Sequence, residues 1–76
     1  MIQCRLWELM AEKSRRDRRR ITYTDIHTQT RIAKTVLSRL RNDRAGMVGM
    51  SVIDRLCDYF DCQPGELFVF VPDQEV

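Results

Sequence analysis

Seventy-six residues make one small domain, stable only if its helices pack tightly or it associates. Three cysteines without a CxxC pair and a single histidine argue against a zinc site and a secreted disulfide framework. No stretch nears the ~20 apolar residues of a membrane span. The net charge is only +2, but residues 1–49 hold twelve Lys and Arg against five Asp and Glu, and residues 50–76 hold one against six. That split predicts one face for a polyanion and another turned away from it.

Residues 1–4 are apolar, lack helix caps and read as a strand. Arg5, Glu8, Glu12 and Lys13 interrupt any apolar run, so no leader is expected, and reduced thiols in a cytoplasm fit the cysteine usage. Leu6, Leu9, Met10 and Lys13 follow helical spacing, which starts a first helix near Arg5 with Leu6, Leu9 and Met10 in the core. Trp7 falls beside that face, where it either packs against the C-terminal segment or meets a second copy of the chain. The run SRRDRRR over 14–20 has no Gly or Pro, so the helix should continue into it and break near Arg20. Arg15, Arg16, Arg18, Arg19 and Arg20 are then either a solvated helix extension or phosphate contacts, since a guanidinium matches a phosphate with paired donors.

A second helix is predicted over 23–30. Thr22 and Asp25 have the spacing of a capping box. Ile26 points to the core and Ile32 seals the following turn. A third helix is predicted over 34–42. At 100° per residue, Ala33, Val36, Leu37 and Leu40 cluster inward, and Lys34, Thr35, Ser38, Arg39 and Asn42 face outward. A solvated face normally mixes both signs. This one carries donors and cations and no carboxylate, which suits a polyanion.

The stretch DRAGMVG over 43–49 reads as a loop, with Gly49 as the cap of a fourth helix over 50–60. Ile53, Leu56, Cys57 and Phe60 form its inward stripe, and Asp54, Asp58 and Asp61 give it an acidic outer face. Pro64 suits the first position of a short fifth helix reaching Phe68. Phe68 to Val71 is β-branched and aromatic, and Pro72 ends it. This strand needs a partner, and residues 1–4 are the only candidate, so a two-stranded antiparallel pair is predicted. Such a ribbon alone is marginal, which favours association through it, with Phe68 and Phe70 at the contact. Residues 73–76 read as a loose tail.

The helix pair over 23–42, with apolar positions Ile26, Ile32, Leu37 and Leu40, resembles the helix-turn-helix of lambda-repressor-like (Cro/cI, XRE-family) DNA-binding domains. The string LCDYFDCQPGELF over 56–68 is similar to the closing part of many small XRE-family regulators. His27 stands where that family usually has Ala, and Arg31 stands where Gly is common. The resemblance implies one mainly α domain over 1–76: five helices in a compact lambda-repressor-like arrangement, with the strand pair added. It implies base contacts from Lys34 and Thr35, with Ser38 and Arg39 one turn on also reaching the major groove. Lysine or arginine there would pair with guanine, and a threonine methyl would meet a thymine methyl. It further implies backbone contacts from Asn42, Arg44 and Tyr23, the last equally suited to burial over the first helix.

The expected function is therefore a sequence-specific double-stranded DNA-binding regulator. It would be a homodimer on a palindromic operator, a repressor by default, cytoplasmic and associated with the nucleoid. No cofactor or metal is expected. An enzyme is disfavoured, because there is no nucleophile–base spacing, no Gly-rich phosphate loop and no apolar cluster of carboxylates. Two alternatives stay open. One is a protein-interaction role, such as the antitoxin of a toxin–antitoxin pair holding its partner on the acidic half or the strand edge. The other is non-specific nucleic-acid binding through the arginine run.

Overall fold

Backbone hydrogen bonding orders the chain as β1 (Ile2–Cys4), α1 (Leu6–Asp17), α2 (Tyr23–Thr30), α3 (Lys34–Arg41), α4 (Met50–Phe60), α5 (Pro64–Leu67) and β2 (Phe68–Phe70). The structure is a computed structural model and describes residues 1–42 and 44–72. Asp43 of the predicted loop and the predicted tail lie outside the described residues. None of these helices is long and apolar enough to cross a membrane.

The helix ends follow from local chemistry. Thr22 and Asp25 close a reciprocal capping box at the start of α2, with the Thr22 N–H donating to Asp25 Oδ2 at 2.8 Å and the Asp25 N–H donating to Thr22 Oγ1 at 3.3 Å. Gln63 and Glu66 make a second box at α5, where Pro64 takes the first turn. The predicted bounds of α2 and α4 agree with the structure. Three others shift. α3 ends one residue early at Arg41, and Phe68 leaves the fifth helix for β2. α1 stops at Asp17 rather than near Arg20. The cause of this last shift is tertiary: Ile21 is buried, and its N–H donates to Ser14 Oγ at 2.9 Å. To bring Ile21 back, the chain turns left-handed at Arg18 (φ 54°), and the Arg19 N–H returns to the Ser14 carbonyl at 3.1 Å.

Leu6, Ile26, Leu37, Leu40, Leu56 and Leu67 are fully buried, one or two from each helix. Ala33 does not join them. It is exposed, because it caps α3 in an extended conformation (φ −61°, ψ 141°) to which the helical period does not apply. Val36, Ile53 and Cys57 pack against the core while half-buried. β1 and β2 pair antiparallel, with Ile2 opposite Phe70 and Cys4 opposite Phe68. Cys4 and Phe68 pack on the core, while Ile2 and Phe70 overhang it, 59% and 67% exposed.

Candidate nucleic-acid interface

α3 is the element with an unneutralised surface. It starts without a side-chain cap and has no acidic residue in its first turn. A helix N-terminus carries partial positive charge, so Lys34 there costs the helix stability where Asp or Glu would add it. Lys34, Thr35 and Arg39 are exposed; Ser38 is half-buried behind them. Asn42 Nδ2 lies 3.5 Å from Ser38 Oγ. Arg44 is exposed just past the helix, its N–H bonded to the Arg39 carbonyl at 2.8 Å. These six residues therefore lie along one helix and its exit.

The turn that aims α3 is built around two residues. Arg31 adopts φ 64°, ψ 15° and donates its N–H to the His27 carbonyl at 2.8 Å. It thus takes the left-handed position that glycine fills without strain, at a cost of about 1 kcal/mol. His27 Nδ1 lies 2.8 Å from the Ile32 carbonyl. Because a carbonyl can only accept, that nitrogen must carry the proton. His27 so ties α2 to the segment leading into α3. Thr30, buried, adds a bond from its hydroxyl to the Ile26 carbonyl at 2.6 Å and accepts the Ile32 N–H at 3.2 Å.

Three of the five arginines of the run line two separate clefts. Arg20 shares a cleft of about 270 Å³ with Trp7, Tyr23 and Arg41, and no carboxylate lines it. Tyr23 is half-buried there at the start of α2. Arg15 and Arg16 instead line a cleft of about 620 Å³ on the other side of α1, together with Glu12, Asp61 and Glu66. Arg19 pairs with Asp25 Oδ1 at 3.2 Å, and Arg18 is the exposed left-handed residue. Thr22 holds the Asp25 carboxyl below the usual carboxylate range, first through its N–H and then through its hydroxyl, with Arg19 adding to both.

Arg41 is the α3 cation that the helical wheel overlooks. It lies at the side of the α3 outer face, and its guanidinium stacks over the Trp7 ring at 4.1 Å. Trp7 therefore meets α3, and it remains 56% exposed. Phe68, named with Trp7 and Phe70 as a contact for a second copy, is half-buried on the core. Asp54, Asp58 and Asp61 are exposed on or just past α4. Among the described residues no cluster of three His, Cys, Asp or Glu could hold a metal.

A cationic helix on a two-helix turn is a shape shared with known proteins. Residues 5–73 match the family model of the Cro/C1-type HTH DNA-binding domain. The chain is also similar to an uncharacterized HTH-type transcriptional regulator, YozG, of Bacillus subtilis (strain 168). The two are 26% identical over 58 residues, covering 76% of this chain and 69% of that protein. No solved structure matches the chain. The fold, the turn and the match over nearly the whole length agree: this chain belongs to the Cro/C1-type helix-turn-helix DNA-binding family.

Proposed function

We propose that the protein is a sequence-specific double-stranded DNA-binding transcription regulator that inserts α3 into the major groove. The observation that carries this reading is the exposed face of α3, which offers Lys34, Thr35 and Arg39 and no carboxylate. Lys34, Thr35, Ser38 and Arg39 read base edges. Tyr23, Arg20, Arg41, Asn42 and Arg44 hold phosphates and set the register. Arg18 and Arg19 stand near the start of α2, beside the same backbone. Arg15 and Arg16 add long-range attraction, weakened by the acids that share their cleft.

The regulator acts as a homodimer on a palindromic operator and represses by occupying it. Support for the dimer comes from the overhang of Ile2 and Phe70, which with Met1 and Val71 leaves apolar surface exposed at one end of the sheet. Each strand also has one edge free of its partner. Two copies joined at that end read a palindrome if their α3 helices stand about 34 Å apart, the spacing of successive major grooves.

Selection from random duplex DNA at physiological salt, with excess non-specific competitor, tests the reading. A palindrome with half-sites about one helical turn apart is the expected outcome. A single asymmetric half-site overturns the symmetric dimer and keeps the regulator. No enrichment overturns sequence-specific binding and moves the reading to a protein partner on the acidic face of α4.

A further inference from the structure

Cys57 and Cys62 lie outside the residues proposed to meet DNA, and the end of α4 brings them to one cleft. Asp61, the first residue past the helix, is left-handed (φ 52°, ψ 55°). Its N–H donates to the Asp58 carbonyl at 3.3 Å, and the Cys62 N–H reaches back to the Cys57 carbonyl at 2.9 Å. This is a Schellman ending, in which the residue two places past the helix lies against one in its last turn. An apolar pair usually fills those two positions. Here both are thiols. Each is partly exposed, and both line one open cleft of about 420 Å³ beside Pro64. Burial, and then the neighbouring Cys57, pushes the Cys62 thiol up to about 11, so its resting form is the protonated thiol.

We propose that Cys57 and Cys62 are a thiol-modification site that takes a low-molecular-weight disulfide as oxidant and closes into an intramolecular disulfide. In the first step one cysteine gives its proton to water and its sulfur attacks the oxidant. The oxidant's S–S bond breaks, and one small thiolate leaves and takes up a proton. The second cysteine then loses its proton and attacks the first sulfur, expelling the other small thiol. The protein loses two electrons and two protons, and one small disulfide becomes two small thiols. A disulfide requires Cβ atoms side by side, and a Schellman ending sets the residues at these two positions against each other. The site adjoins Asp58 and lies on α4, apart from the exposed face of α3, so closure leaves α3 unchanged.

The whole chain is equilibrated in glutathione buffers of increasing oxidised fraction, quenched with acid, alkylated and digested with trypsin. Cys57 and Cys62 fall together in the peptide that follows Arg55, and Cys4 falls in the peptide ending at Arg5, so the two sites are read separately. The expected result is a 56–76 peptide that has lost two hydrogens and accepts no alkyl group. Half-oxidation should need a buffer roughly tenfold more reducing for the folded chain than in concentrated urea. Cys62→Ser should instead leave a single glutathione on Cys57. The proposal is overturned if the wild-type peptide keeps both alkyl groups or carries glutathione without closing. It is equally overturned if the folded chain needs the same buffer as the unfolded one, or a more oxidising one. DNA affinity of the same samples is expected to change less than about twofold, being set by phosphate and base contacts elsewhere. Failure of the DNA reading would leave the thiol result standing.

Discussion

Arg31 shows what a single residue can cost. It sits in the left-handed position of the turn between α2 and α3 because the His27 carbonyl and the burial of Ile32 demand that backbone shape. Arg31→Gly should therefore stabilise the domain by roughly 0.5–1 kcal/mol. In a chain of this size that raises the thermal midpoint by several degrees, at about 4–8 °C per kcal/mol, which calorimetry measures directly. Asp25 makes a second residue-scale prediction. Its carboxyl is held below the ordinary range by Thr22 and Arg19. A group with a depressed folded value adds stability above its unfolded value and loses it as pH falls through the folded one. Urea unfolding across the acidic range should show that loss. Asp25→Asn should be less stable at neutral pH and flatter with pH in the same window.

At the scale of the element, α3 trades its own stability for its surface. Lys34→Glu puts a carboxylate at the positive end of the helix, so it should leave the fold as stable or a few tenths of a kcal/mol more stable. The same change should cost at least tenfold in affinity for the selected operator. A variant that melts no earlier yet fails in gel shift separates function from folding; full retention of binding would remove Lys34 from the interface. Much of this element could be read in advance. The capping box of Thr22 and Asp25 and the Ile26, Leu37, Leu40 spacing placed α2 and α3, because helix caps and helical periods act over a few neighbouring residues. The turn at Arg18 could not be read this way. Arginine favours helix, and only the burial of Ile21 across the domain pulls the chain out of it. The stack of Arg41 on Trp7 also escaped, since it joins residues far apart in sequence and Arg41 falls at the margin of the polar stripe. The turn tolerates Arg31 because the bond from its N–H to the His27 carbonyl uses groups common to all residues, and His27 adds a ring bond of its own to the Ile32 carbonyl.

Across the whole molecule, charge is sorted by cleft as well as by chain half. Arg20 and Arg41 share a cleft free of carboxylates, whereas Arg15 and Arg16 share theirs with Glu12, Asp61 and Glu66. Replacing Arg20 and Arg41 with Ala should therefore reduce the slope of log affinity against log salt by about one per residue lost. Replacing Arg15 and Arg16 should change it by less, and fluorescence titrations at several salt concentrations would rank the two pairs. The strand pair has a consequence of a different kind. The Met1 ammonium donates to the Val71 carbonyl at 2.7 Å, the Val71 N–H donates to the Met1 carbonyl at 2.8 Å, and Arg5 reaches Leu67 the same way at 2.7 Å. Among the described residues these are the contacts of greatest separation along the chain, and closing so long a loop is entropically costly before any packing rewards it. The α2–α3 hairpin needs only its neighbours and can form early. The latch between β1 and β2 should form last and open first, with the fastest amide exchange of any regular element. A ribosome would thus release α3 already shaped before the overhanging Ile2 and Phe70 ever meet, and the apolar surface at that end would be assembled only once both strands are made.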